Sequence, residues 1–131
     1  MIHIERVYHH LEPGDSEATR FLVERLWPRG VKKTRLKMDG WLKEVAPSTE
    51  LRKWYGHDPE RWPEFQRRYT RELGTHREAL APLLEAARQG DVTLLYSARD
   101  EEHNSAAVLK GYLERSLRSA RRRTRRRPTL H

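Results

Sequence analysis

One segment constrains the fold of this chain more than any other: the near-continuous apolar run Val92–Tyr96, which passes directly into small and polar residues and then into a helical pattern. Such a run is typical of an interior strand of a parallel sheet, which is covered on both faces. Residues 94–104 therefore predict a strand, a turn and a helix start. Ligands of open α/β proteins bind beyond the carboxyl ends of strands, so a site is expected here.

Two earlier segments also predict strands. Ile2–Tyr8 alternates apolar and polar residues, as does a strand with one covered face, and it ends at a His pair followed by a surface loop over residues 11–19. Arg20–Leu26 predicts the second strand, which Pro28 and Gly30 end in a shaped loop. The second strand, a long helical excursion and the third strand predict an α/β unit with a right-handed crossover.

Apolar spacing predicts five helices, over residues 36–45, 50–55, 63–73, 75–89 and 101–119. Ser48 or Thr49 is expected to cap the second, and a capping box of Thr75 with Glu78 to open the fourth. Pro63 predicts a short turn over 58–62 before the third helix begins, and Asp100 is the expected cap of the last helix.

A chain of 131 residues is long enough for one domain, which at this size buries roughly two thirds of its unfolded surface. We therefore predict the α/β class: a small, mainly parallel sheet of three or more strands flanked by helices, in a single domain. Because three strands make a small sheet, further short strands or a dimer contact are expected to complete it; the sequence does not decide the oligomeric state.

The net charge of +8 is concentrated at one end of the chain. The acidic residues, 19 in all, precede residue 118, and residues 1–117 carry a net charge of only +1. We predict one α/β domain over 1–117 and an Arg-rich, disordered tail over 118–131. Seven arginines make up the basic run: Arg118, Arg121, Arg122, Arg123, Arg125, Arg126 and Arg127. They suit non-specific binding of nucleic acid, and a merely solvated tail is an equal alternative.

The composition also excludes several classes of site. The chain has no Cys, which rules out disulfides, thiolate nucleophiles and Cys-based metal sites. No signal peptide or membrane-spanning run is recognisable, so we expect a soluble, cytoplasmic protein without membrane contact. The pair His9-His10 points to opposite faces of an extended chain and lacks further ligands, so no metal is predicted. No cofactor motif is present.

Polar residues follow the second and third predicted strands and would line one edge of a parallel sheet. The candidate ligand-binding residues are Arg25, Trp27, Arg29, Ser97, Arg99 and Asn104. Guanidinium groups bind phosphate and carboxylate oxygens in a bidentate manner, so the set suits a small anionic, phosphate-bearing ligand.

The same residues allow a structural interpretation. Arg25 and Arg99 could instead form ion pairs with Glu24, Asp100 or Glu101, and the acids at the helix start would repel an anion. Trp27 is either a contact surface or, more commonly for such a residue, a plug over the sheet edge.

A third hypothesis places an enzyme of unassigned reaction in the same pocket. His103 in the first turn of the last helix and Ser97 are the weak catalytic candidates. No phosphate loop, nucleophile elbow or carboxylate pair accompanies them, so the sequence does not decide whether the chain is an enzyme.

Three motifs together resemble the YeaO-like branch of the domain of unknown function 488 family: residues 26–30 (Leu-Trp-Pro-Arg-Gly), 46–53 (Ala-Pro-Ser-Thr-Glu-Leu-Arg-Lys) and 94–104. The resemblance covers residues 4 to about 115 in order and spacing. It implies a compact bacterial or archaeal α/β protein to which no activity is attached. It also implies that Arg25 and the polar start of the last helix are the candidate functional positions.

This chain departs from the family pattern at two places. Ser105 stands where a His commonly follows the Asn of the last motif, which weakens a catalytic role for that position. The Arg-rich tail lies beyond the usual end of the family.

Overall fold

The structure, a computed structural model, describes residues 1–9 and 18–126, with side chains described for 1–8 and 18–123. The described residues form one parallel sheet of four strands: β1 (Ile2–Arg6), β2 (Thr19–Leu22), β3 (Gly40–Trp41) and β4 (Val92–Tyr96), in the spatial order β1-β4-β2-β3. The predicted α/β class with a small parallel sheet is confirmed. The short β3 supplies the additional strand that the sequence called for.

β4 is the centre of this sheet. It pairs with β1 from Ile2 opposite Val92 onward and with β2 from Thr19 opposite Val92 onward, and all five of its residues are buried. The apolar run therefore forms the predicted interior strand, because each face and each edge of it meets other protein atoms.

Within the described ranges the chain forms four α-helices: α1 (Thr49–Tyr55), α2 (Trp62–Thr75), α3 (Ala81–Gln89) and α4 (Ser105–Arg126). Short 3-10 segments occupy Val7–His9, Lys43–Val45, Pro59–Arg61 and Arg77–Leu80. As predicted, Ser48 caps α1 by accepting the Leu51 N–H at 3.1 Å, and Gly56 ends it with a φ of 53°. The turn before Pro63 and the helix that contains it are also confirmed.

The sheet separates two apolar clusters. On one face, alternate residues of the strands, such as Phe21 and Leu94, pack with all four helices. On the other face, Leu22 and Leu95 pack with the loop residues between β2 and β3, including Val31. The alternation of side chains along each strand produces this division.

The helix predicted over residues 36–45 is wrong. β3 forms there instead, because Asp39 N–H donates to Arg20 O at 2.7 Å and Leu42 N–H to Leu22 O at 2.9 Å. A Cβ atom on Gly40 would lie 3.3 Å from the Phe21 ring, a tight contact that would require the ring to shift slightly, so glycine eases the close approach of the two strands. These contacts are long-range, and helical spacing of apolar residues cannot reveal them.

Two boundaries in the middle of the chain also differ from prediction. The second strand ends at Leu22 rather than Leu26, since the chain bends to follow the loop over the sheet. The capping box does not form: Thr75 Oγ1 donates backwards to Glu72 O at 2.7 Å at the end of α2, and α3 begins only at Ala81.

The last helix starts later and ends later than predicted. Asp100 Oδ1 accepts the N–H groups of Glu102 and His103 and so closes a turn, while Asn104 Oδ1 accepts the Ala107 N–H at 2.9 Å and caps α4. The helix runs to Arg126, seven residues beyond Ser119, because arginine is a good helix former and residues 118–126 lack Gly and Pro. Six of the seven tail arginines are therefore in the helix. Arg127, like His10 and most of the loop at 11–19, lies outside the described residues.

Candidate functional site

A cleft of about 760 Å³ opens at the carboxyl ends of β2 and β4. Its walls come from the segment after β2, from the segment around α1 and from the turn after β4. The parallel pairing of β2 with β4 brings these ends together, and the volume is that of a typical small-molecule site. The predicted ligand-binding and catalytic candidates all line it: Arg25, Trp27, Arg29, Ser97, Arg99, His103 and Asn104.

Glu24 and Ser97 connect the two strands at this cleft. Glu24 Oε1 accepts the Ser97 backbone N–H at 2.7 Å and its hydroxyl at 3.1 Å. Burial raises the pKa of Glu24 above its ordinary value of 4.5, and the Ser97 hydrogen bonds oppose that effect only in part. The nearby charges of Arg52 and His57 also lower its pKa. No further hydrogen bond to this carboxylate occurs among the described residues, so Oε2 can accept one from a ligand in the cleft.

Arg25 has a structural role at the cleft wall. Its Nε donates to Pro47 O at 3.1 Å and its Nη2 to Ala46 O at 3.2 Å, which ties the end of β2 to the segment before α1. Within the described parts of the chain, neither Arg25 nor Arg99 forms an ion pair with Glu24 or Asp100. The ion pairs that the structural interpretation predicted for Arg25 with Glu24 and Asp100 are therefore not formed, and its side chain donates to backbone carbonyls instead.

Three further arginines stand around the opening. Arg29 and Arg99 are exposed, as is Arg52 on α1. With Arg25, the lining contains four guanidinium groups and two carboxylates, Glu24 and Asp100. The cleft therefore carries a net positive charge, supplied by three separate segments of the chain.

Trp27 and Asn104 are held in place by contacts of their own. Trp27 Nε1 donates to Val31 O at 2.6 Å, and its ring meets Trp41 edge-on at 5.3 Å, so half-buried Trp27 packs over the second apolar cluster. Asn104 is buried; besides capping α4, its Nδ2 donates to Asp100 O at 3.0 Å. Both residues shape the cleft.

His103 pairs with Asp100 at the mouth of the cleft. Their Nδ1 and Oδ2 atoms are 3.0 Å apart, and the imidazole meets the Trp62 ring edge-on at 5.1 Å. Backbone hydrogen bonds from His103 and Glu102 lower the pKa of Asp100 below its usual value. Ser97 donates its hydroxyl to Glu24, so the two catalytic candidates do not form a nucleophile–base pair.

Several cleft residues were not among the predicted site residues; the polar ones include Glu24, Arg52, Tyr55 and His57. Arg52 lies in the second family motif, which is the one signal that could have found it. Burial, with Asp100 and Asp58 nearby, raises the pKa of Tyr55. His57 takes a φ of 59°, a left-handed conformation, and its ring centroid lies 6.2 Å from that of Tyr55. No residue pattern in the sequence predicts this conformation.

Among the described residues, no group of three or more His, Asp or Glu side chains could hold a metal ion. None of the described helices is both long and apolar enough to cross a membrane.

Fold and cleft together define a small α/β protein with a positively charged cleft at the carboxyl edge of a four-stranded parallel sheet. A family model described as "Inactive DUF488-N3 subclade" matches residues 1–131. The chain belongs to this family, and the resemblance to its YeaO-like branch is confirmed.

Two bacterial relatives are similar over most of their lengths. The chain is 44% identical over 116 residues to the uncharacterized protein YeaO of Escherichia coli, covering 88% of this chain and 98% of the relative. It is 42% identical over 108 residues to the uncharacterized protein Rv3073c of Mycobacterium tuberculosis, covering 82% and 89%. No solved structure matches the chain.

Proposed function

We propose that this protein binds a small phosphate-bearing ligand in the cleft at the ends of β2 and β4. The observation that carries the proposal is the convergence of arginines from three chain segments on one cavity of ligand size. Arg29, Arg52 and Arg99 are exposed, so their guanidinium groups can form charge-assisted hydrogen bonds to phosphate oxygens.

The remaining lining adds requirements beyond a negative charge. Glu24 Oε2 needs a hydrogen-bond donor on the ligand, because an anionic group placed there would be repelled by the carboxylate. Tyr55 and Phe65, whose rings stack with centroids 4.5 Å apart, provide an apolar wall. The cleft therefore fits a molecule with a phosphate at one end and a flat, donor-bearing group at the other.

Binding is favoured over catalysis by two observations. Ser97 donates its hydroxyl to Glu24 rather than to His103, and Ser105 occupies the first position of α4 where the family commonly has a His. The description of the matching family as inactive agrees with this choice. The catalytic hypothesis for Ser97 and His103 would require a rearrangement that brings the Ser97 hydroxyl to the imidazole.

The proposal can be tested by calorimetry and thermal denaturation with inorganic phosphate, ribose 5-phosphate and adenosine monophosphate as probes. We expect adenosine monophosphate to bind more tightly than inorganic phosphate, because it adds a flat base with an amino donor for Glu24 to the phosphate that the arginines would bind. Replacing Arg52 and Arg99 together by Ala should weaken binding by roughly tenfold or more, since each lost charge-assisted bond costs on the order of 1 kcal/mol.

The matched control is the pair Arg77→Ala and Arg88→Ala, which removes the same charge from exposed positions outside the cleft. This control should bind as the parent does. If none of the three probes binds, or if both double variants lose affinity equally, the cleft is not a phosphate site.

A further inference from the structure

A second concave surface lies between α2 and α4, away from the cleft. It has a volume of about 600 Å³. On the α4 side, small residues such as Ala107 and Gly111 line it, which leaves room between the helices, and on the α2 side Gln66 and Thr70 offer polar groups. Together with its arginines, these residues define what we call the α2–α4 groove.

The charge of the α2–α4 groove is uniformly positive. Arg67, Arg71 and Arg115 line it, and its lining within the described residues includes no acid. Arg67 is engaged with Glu64 at 3.0 Å, whereas Arg71 and Arg115 are exposed. Arg115 lies over Gly111: a Cβ atom there would come within 3.3 Å of its Nη1.

The basic surface continues along α4. Arg118 and Arg122 follow Arg115 at spacings of three and seven residues, which places all three on one face of the helix. At 1.5 Å per residue, Arg115 and Arg122 are about 10 Å apart along the axis. These arginines, which the sequence assigned to a disordered tail, are thus arranged in a row on α4 that extends the groove.

We propose that the α2–α4 groove and the arginine row of α4 form one binding surface for the phosphodiester backbone of a nucleic acid. Guanidinium groups together with amide and hydroxyl side chains are the usual phosphate and sugar contacts of such proteins. Among the described residues that line the groove there is no aromatic side chain for base stacking, so we expect binding that is independent of sequence.

A membrane surface fits these observations less well. An amphipathic helix binds lipid through its apolar face, and the apolar face of α4, with Leu109 and Leu113, is fully buried in the first apolar cluster. A nucleic acid needs only the charged face, which α4 leaves exposed at Arg118, Arg122 and their neighbours.

The test measures binding of the full chain to labelled single-stranded RNA and duplex DNA by fluorescence anisotropy over a range of salt concentrations. Arg71→Gln with Arg115→Gln should weaken binding about tenfold and should reduce the slope of log affinity against log salt by about 1.4 for the single strand. The comparison of the two probes shows which backbone is preferred.

Two further double variants make the result specific. Arg71→Lys with Arg115→Lys retains the charges and should keep most of the affinity. This result would show that the glutamine variant loses affinity through its lost charges and not through altered folding. Arg35→Gln with Lys37→Gln removes two exposed charges from the loop that covers the opposite sheet face, and it should leave affinity and slope unchanged.

Several results would overturn the proposal. Unchanged binding by the Arg71 and Arg115 glutamine variant would show that the groove is not used, even if Arg118→Gln with Arg122→Gln abolished binding. If polyglutamate displaced the labelled probe as effectively as unlabelled RNA does, the surface would bind any polyanion and would not be a nucleic-acid site. Binding to vesicles containing phosphatidylglycerol without binding to either nucleic acid would indicate a membrane surface.

Discussion

Replacing Arg25 by Met tests whether this residue holds the cleft together or serves the ligand. The substitution keeps the aliphatic stem and removes the two hydrogen bonds to Ala46 O and Pro47 O. Hydrogen bonds from a charged donor contribute about 1.5–3 kcal/mol each. Two such bonds would give about 3–6 kcal/mol; because Arg25 is half-buried and cleft water can reach the freed carbonyls, we expect a smaller total loss, about 2–3 kcal/mol.

The loss can be expressed as a change in melting temperature. An unfolding entropy of about 2.1 cal/mol/K per residue gives roughly 0.28 kcal/mol/K for the 131 residues of this chain. A loss of about 2–3 kcal/mol therefore lowers the Tm by about 7–11 °C. Differential scanning calorimetry measures the shift directly, and urea denaturation gives the free energy of unfolding independently.

Arg99→Met is the matched control, because it removes the same guanidinium from an exposed position on the same cleft. We expect it to change the stability by no more than about 0.5 kcal/mol. If Arg25→Met melts within about 2 °C of the parent, or if both variants lose the same stability, the two hydrogen bonds of Arg25 do not hold the cleft wall.

Three further substitutions test the energetics of the site and its scaffold. Glu24→Gln keeps the oxygen that accepts from Ser97 and removes a buried charge. Because burial raises the pKa of Glu24 in the folded state, the parent protein loses stability as pH rises above 4.5. The variant should therefore have the higher Tm at pH 7 and no advantage near pH 4. An equal pH dependence of both proteins in calorimetry would contradict this. Ser48→Ala removes the cap of α1 and should cost about 1–2 kcal/mol in urea denaturation, whereas Thr49→Ala should cost little. Leu113→Ala leaves a cavity beneath α4 and should lower the free energy of unfolding by about 2–5 kcal/mol. Leu26→Ala, whose side chain is 60% exposed, should lower it by less than about 0.5 kcal/mol. Similar losses for the two variants would argue against the packing described.

The candidate site could be located from sequence because strand ends are marked locally. The apolar run of β4 and the polar residues after it are contiguous, and parallel neighbours must place their carboxyl ends at one edge. The roles within the site could not be assigned in this way. The carbonyl partners of Arg25 lie 21 and 22 residues away in sequence, and the Glu24 contact of Ser97 spans 73 residues.

Local chemistry determined the elements whose signals lie within a few residues: the interior strand β4, the Ser48 cap of α1 and the turn before Pro63. Tertiary structure decided the elements in which distant residues compete with that local preference. β3 replaced a predicted helix because backbone groups of β2 paired with it and Gly40 allowed Phe21 to approach. The cleft and the α2–α4 groove depend on tertiary structure for the same reason: each is the space between segments that only the packed fold brings together.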